Sequence, residues 1–139
     1  MASEGNALEE GTVPQLDFEK LRRLAERDQH VLPVVLQDAD GGEVLFVGYA
    51  NAEALRETLR TKRAVLWSTS RDELWRKGET SGDVLDLAEV RVNCEQNSLL
   101  YRVRRRAGGA CHTRDASGQS RAGCYYRRVS GSGAALEFV

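Results

Sequence analysis

The sequence predicts an α+β fold that is β-rich, with mostly antiparallel strands and two short helices. Apolar residues recur at every second position in several short segments and at helical spacing in only two. The strand-like segments follow one another in meander order, separated by polar or glycine-bearing turns. At 139 residues, 41% hydrophobic and 29% charged, the chain has the composition of an ordinary globular protein and the length for one core.

Residues 1–15, rich in Glu, Gly and Ala, read as a flexible lead-in. A domain over 16–129 and a C-terminal tail over 130–139 complete the expected organisation. "LDFEKLRRLAERD" (16–28) suits a short amphipathic helix carrying Leu16, Phe18, Leu21 and Leu24. "VLPVVLQD" (31–38) and "EVLFVGY" (43–49) read as strands joined by the turn "ADGG". Pro33 places the first at a sheet edge or gives it an irregular start. "NAEALRETLR" (51–60) is the second helix, with Asn51 as N-cap and Ala54, Leu55 and Leu59 on one face. "RAVLWST" (63–69) is a strand, and "SRDELWRKGETSGD" (70–83) reads as a long loop with a helical turn. Beyond it, "VLDLAEVRVNC" (84–94) turns at "EQN" into "SLLYRVRRR" (98–106). There Leu99, Tyr101 and Val103 share one face, and Arg102 and Arg104 the other. "CYYRRV" (124–129) is the last expected strand.

Twenty basic side chains against 21 acidic ones leave a formal charge of -1. That balance excludes a general attraction to nucleic acid or an anionic membrane, so an anion site must be local. The run Arg104, Arg105, Arg106 lacks interleaved aromatics and suits a solvated strand end or a phosphate contact. No stretch is long enough to span a bilayer, and the acidic N-terminus lacks the apolar segment of a secretory signal. The expectation is a cytoplasmic protein without nucleic-acid or membrane partners.

Three cysteines and two histidines carry the most specific chemistry, with Cys111 directly before His112. Sixteen residues separate Cys94 from Cys111, and twelve separate Cys111 from Cys124. No Cys-x-x-Cys pair exists, which excludes a zinc knuckle or a thioredoxin-like redox motif. Three readings stay open: small buried hydrophobes, redox-active thiols, or three zinc ligands that leave a fourth position for water. Beside such a site, His112 suits a base that deprotonates the attacking water; otherwise it is a loop residue that follows a cysteine.

"LWSTSRDELWRKGETSGDV", "VNCEQNSLL" and "GGACHT…CYYR", in this order, resemble the phosphoribosyl-AMP cyclohydrolase family of histidine biosynthesis. With "VLQDADGGEVLFVGYANAEALRETLRT", the resemblance covers roughly residues 31–128. It implies an intertwined homodimer that hydrolyses the N1–C6 bond of the adenine ring of phosphoribosyl-AMP, as a stand-alone domain without the pyrophosphohydrolase fused to it in some organisms. It also implies zinc held by Cys94 of one chain with Cys111 and Cys124 of the other, and His112 as the proton-transfer residue.

The chain departs from the family pattern at the first cysteine. Family members resembling it read Asp-Cys-Asp-x-Asp, with the aspartates holding Mg²⁺. Here Asn93, Glu95 and Asn97 flank Cys94 and Gln96, so one carboxylate remains. In an extended segment these residues face away from Cys94. Mg²⁺ favours charged oxygen ligands, so this face would bind it weakly or not at all. The segment "HTRDASGQSRAG" is also longer than the family's connection between its last two zinc cysteines. These departures leave open a paralogous zinc hydrolase or deaminase acting on a different purine-type nucleotide, or a non-catalytic nucleotide-binding regulator.

For substrate, "STSRDELWRKGETSG" offers Ser68, Ser70, Arg71, Arg76, Lys77, Thr80 and Ser81. Hydroxyls, cations and glycine backbone suit a phosphate cradle, although the same composition serves a solvated connection. The match of the whole block to the family favours the cradle. Trp67, Trp75, Tyr49, Asp38 and Asp40 read as scaffold, and His30 as a surface residue.

Overall fold

A computed structural model describes residues 4–139, which divide into two units. The larger, residues 28–124, contains a four-stranded sheet of β1 (Leu32–Asp38), β2 (Val44–Ala50), β5 (Leu85–Val92) and β6 (Leu99–Arg105) in the order β2-β1-β6-β5. A two-stranded ribbon pairs β3 (Val65–Ser68) with β4 (Glu73–Arg76), and α3 (Ala52–Thr61) joins β2 to β3. The fold is thus β-rich with few short helices. Among the described residues one ladder is parallel, β1 against β6, and it breaks the meander expected from strand order.

That parallel ladder makes β1 an interior strand, so Pro33 does not mark an edge. It is tolerated because the β1–β6 register begins one residue later, at Val34↔Leu99. At Pro33 only β2 is a neighbour, across from Tyr49. A proline there removes no donor from the ladder with β6.

One face of the sheet buries Val34, Leu36, Tyr101 and Val103, as the alternation in β1 and β6 requires. Ala54 of α3 and Ala64, Val65 and Leu66 close over this core. Asn51 caps α3 by accepting the Ala54 N–H at 2.8 Å, and Lys62 ends it in the left-handed region. Buried Thr58 ties α3 to β3: its Oγ1 accepts the Val65 N–H at 3.0 Å and lies 3.4 Å from the Tyr101 hydroxyl.

β2 carries a bulge. Leu36 pairs with Phe46 and Gln37 with Val44, so Leu45 is an extra residue in the ladder. Leu45 and Phe46 are therefore consecutive and both buried. Strict alternation cannot do that; the bulge can.

Two segments differ from the sequence expectation. Residues 73–76 form β4 rather than loop, because Leu74 and Trp75 pair with Trp67 and Leu66 across a tight turn in which Asp72 takes a φ of 54°. The loop reading underweighted this short alternating stretch. The helix expected over 16–28 shortens to α2 (Lys20–Glu26); before it, Asp17 Oδ1 accepts the Glu19 N–H at 3.1 Å, a local bond that takes the place of helical pairing. Only Leu24 of the expected apolar face is buried.

The smaller unit comprises residues up to 27 together with 125–139. It holds α1 (Glu4–Glu10), α2 and the hairpin of β7 (Arg127–Val129) with β8 (Leu136–Phe138). The segment read as lead-in therefore contains a helix, and the tail contains a strand. Arg127 donates to the Leu8 and Gly11 carbonyls and Tyr126 to that of Glu9, satisfying groups that the end of α1 leaves open.

The arginines of β6 and the residue after it pair with carboxylates: Arg102 with Glu89, Arg104 with Asp40, Arg105 with Asp38 and Arg106 with Asp86. Asp38, buried at the end of β1, accepts the Asp40 and Gly41 N–H groups on one oxygen and Arg105 on the other. Those backbone donors, Gly41 foremost, and then Arg105 hold its carboxyl below the usual value of 3.8. A depressed carboxyl stabilises the fold above its unfolded pKa and loses that contribution as pH falls through the folded one. Asp38→Ala is expected to cost about 1–3 kcal/mol at neutral pH. Denaturant melts should show the gap from wild type closing below about pH 4; a gap independent of pH would contradict this origin.

Candidate active site

The returning segment after β6 folds back on itself. The Ala110 and Cys111 N–H groups donate to the Ala122 and Arg121 carbonyls, and Arg121 returns a bond to Thr113. Gly109 permits this: a Cβ there would stand 1.9 Å from the Arg121 carbonyl oxygen. The segment ends at the bulge, where the Cys124 N–H donates to the Leu45 carbonyl at 2.7 Å. Gly123 allows the approach, since a Cβ would come within 2.8 Å of the same oxygen.

This fold-back brings Cys124 close enough to Cys111 for the two thiols to interact. Cys111 is buried, with Thr113 Oγ1 3.0 Å from its sulfur. Cys124 is exposed as a residue, yet its thiol is pushed up to about 12, first by burial among neighbouring atoms and then by Cys111. Lys77, only 7% exposed, interacts with both thiols and with Asp83; burial pushes its pKa down, and those three groups oppose the shift.

Cys94 lies elsewhere. It follows β5, beyond the Val92↔Leu99 pair, which is level with the start of β1. Leu45, which anchors Cys124, is level with the end of β1 on the opposite edge strand. Across three strand spacings and several residues of rise, the two cysteines are roughly 20 Å apart in one chain. Accordingly, no group of three His, Cys, Asp or Glu among the described residues of one chain could hold a metal.

Asn93, Glu95 and Asn97 do come together, bonded to one another. Asn93 Nδ2 donates to Asn97 Oδ1 at 2.7 Å, and Asn97 Nδ2 to Glu95 Oε2 at 3.2 Å. Asn93 Oδ1 also accepts the Asn97 and Ser98 N–H groups, while Gln96 takes a φ of 56°. Amide hydrogens cross-link the turn through its oxygens.

His112 lines a cavity of about 430 Å³ together with Arg71, Arg76, Lys77, Thr80 and Ser81. Arg71 comes from the turn before β4, and the other four from β4 and the following loop; all six were candidates in the sequence. Ser68 and Ser70 are not in the wall; their hydroxyls face each other at 3.4 Å in the β3–β4 turn, where Ser68 also accepts from Arg71. Trp75 lines the cavity and packs on Phe46, 5.9 Å between ring centroids. The wall also includes Glu73, Glu79, Asp83, Arg114 and Ser120, which sequence reasoning passed over. Position was the available signal: Glu73 and Glu79 lie within the candidate block, and Arg114 stands two residues after His112. His30 is exposed beside Asp28, a surface residue as expected.

Cations, hydroxyls and a histidine around one cavity, adjoining a thiol pair through a buried lysine, define an enzyme pocket for a small polar ligand. The family model described as phosphoribosyl-AMP cyclohydrolase matches residues 46–126. Curated relatives bearing that name include the protein of Bordetella parapertussis, 44% identical over 109 residues and covering 78% of this chain and 77% of the relative. That of Hyphomonas neptunium is 48% identical over 101 residues (73% and 72%), and that of Archaeoglobus fulgidus 45% over 104 (75% and 90%). The chain belongs to the phosphoribosyl-AMP cyclohydrolase family.

The loop that closes the cavity turns at Gly78, whose φ is +81° and whose added Cβ would lie 2.3 Å from the Asp83 carbonyl carbon and the Val84 nitrogen. Gly78→Ala meets both backbone strain and a backbone clash. We expect a loss of roughly 2–4 kcal/mol and a Tm about 10 °C lower by calorimetry. An unchanged Tm would show that the loop can open without cost.

Proposed function

We propose that this chain hydrolyses the N1–C6 bond of the adenine ring of phosphoribosyl-AMP, in histidine biosynthesis, as a zinc-dependent homodimer. The observation that carries the reading is the meeting of His112 with Arg71, Arg76, Lys77, Thr80 and Ser81 in one cavity beside Cys111 and Cys124. The relatives' shared name supports the substrate.

Two neighbouring thiols, with Cys124 held protonated by burial and by Cys111, suit a divalent cation, which would replace their protons. Cys111 and Cys124 would hold Zn²⁺ with Cys94 of a second copy, because the roughly 20 Å to a chain's own Cys94 is several times the span of a tetrahedral site. Exposed Val44, Val47 and Val92 on the edge strands favour such a copy. Bound zinc supplies Lewis acidity that makes water a nucleophile near neutral pH.

In phosphoribosyl-AMP the ribosyl group on N1 makes the ring cationic and C6 electrophilic. His112 takes a proton as the water oxygen bonds to C6, and returns one to N1 as C6–N1 breaks. Arg71, Arg76 and Lys77 supply N–H donors to ligand phosphate, and the Thr80 and Ser81 hydroxyls position it. The turn of Asn93, Glu95 and Asn97 does not suit a resident Mg²⁺. It offers one carboxylate, and its amides already supply the cross-links that a cation would.

Purified protein with phosphoribosyl-AMP, followed by the absorbance change of ring opening, tests the reading. Wild type should turn over, and His112→Ala should lose about 10²–10⁴-fold in kcat while retaining its zinc. Zinc-loaded wild type that binds the nucleotide without opening it would overturn the catalytic reading and leave a regulator.

A further inference from the structure

We propose that Arg114 is a phosphate-binding residue of the cavity, delivered there by the loop between Cys111 and Cys124. The identity of the nucleotide rests on the cyclohydrolase reading; the anion site does not. Four cations line the cavity, and three are already offset. Arg71 pairs with Glu73 at 3.6 Å, Arg76 with Glu57 at 3.4 Å, and Lys77 interacts with the carboxylate of Asp83. Among the described residues Arg114 has no carboxylate partner; its bond is from Nη1 to the Gly118 carbonyl at 2.9 Å. A cation left without a counter-charge in a cavity wall is the local attraction for an anion that a chain of net charge -1 does not supply globally.

Its placement follows from alternation. Cys111 and Thr113 are buried while His112 and Arg114 between and beyond them are exposed, so the segment turns successive side chains to opposite sides. Arg114 shares the cavity side with His112, about 7 Å along the chain. The loop holds that arrangement. Asp115 N–H donates to Gln119 at 2.8 Å, and the Asp115 carboxylate accepts from the Ser117 N–H, the Ser117 hydroxyl and the Gln119 N–H. Ser120, bridged to Arg114, donates to Asp83 at 3.1 Å.

A guanidinium has five N–H donors in a planar fork, and one anchored on Gly118 leaves the rest for a phosphate. Anchoring also limits the freedom lost when the anion binds. The ligand chemistry is a phosphate dianion, as a nucleotide ester or as free inorganic phosphate, and the experiment separates the two.

Calorimetric titration of wild type, Arg114→Gln and Arg114→Lys with AMP, adenosine and inorganic phosphate tests the assignment. Arg114→Gln should weaken AMP and phosphate by about 5- to 30-fold, leave adenosine unchanged and flatten the salt dependence of AMP binding. Arg114→Lys should recover part of the loss, which separates charge from loop structure. For turnover of phosphoribosyl-AMP, KM should rise more than kcat falls. AMP affinity unchanged in a folded Arg114→Gln, or adenosine weakened as much as AMP, overturns the assignment. Arg114-dependent phosphate binding without turnover leaves the anion site standing and removes the substrate. Wild type that binds neither AMP nor phosphate removes the anion site whatever its turnover.

Discussion

The bulge at Leu45 is the constraint on which the site depends. An extra residue in β2 leaves the Leu45 carbonyl to accept the Cys124 amide at 2.7 Å instead of serving the β1 ladder. That bond, with the side-chain-free approach of Gly123, fixes where the segment from residue 109 comes to rest. The thiol pair, the face presented by His112 and the orientation of the loop all follow from that anchor. Bulges often end pairing beside functional sites because they re-aim backbone groups in this way.

The same sheet separates Cys94 from the other two cysteines. Its register puts the β5–β6 turn and the bulge at opposite corners, so Cys94 and the thiol pair cannot meet within a protomer. Under the proposed function, this geometry accounts for an odd number of cysteines: two would act locally, and the third would serve a second copy. The turn around Cys94 is cross-linked by amide hydrogen bonds. It can stay ordered while the cysteine between them points elsewhere.

Much of this was legible in the sequence where local signals were strong. Alternation in residues 99–103 placed Leu99, Tyr101 and Val103 in the core, and Asn51 announced its helix. Arg76, Lys77, Thr80, Ser81 and His112 could be named because the block containing them resembles a family. What escaped depends on contacts distant in sequence. The parallel β1–β6 pairing joins strands more than sixty residues apart, and nothing local to Pro33 reveals it. The Leu45 bulge shows only as two consecutive buried residues in an otherwise alternating run. β4 is four residues long, too short for its alternation to outweigh the surrounding turn residues. Ser68 and Ser70 have the composition of a phosphate cradle, but they bond to each other in a turn outside the cavity.

A mixed assembly tests most directly the claim that two copies build each site. Cys94→Ser and Cys111→Ser chains, each purified alone, should form dimers that bind little zinc, since every site lacks a sulfur. Refolded together, mixed dimers should regain a single zinc ion and one working site, because the intact Cys94 of one chain meets the intact pair of the other. Mixed dimers that remain without zinc, or Cys94→Ser dimers that keep their full zinc content, would contradict the shared site.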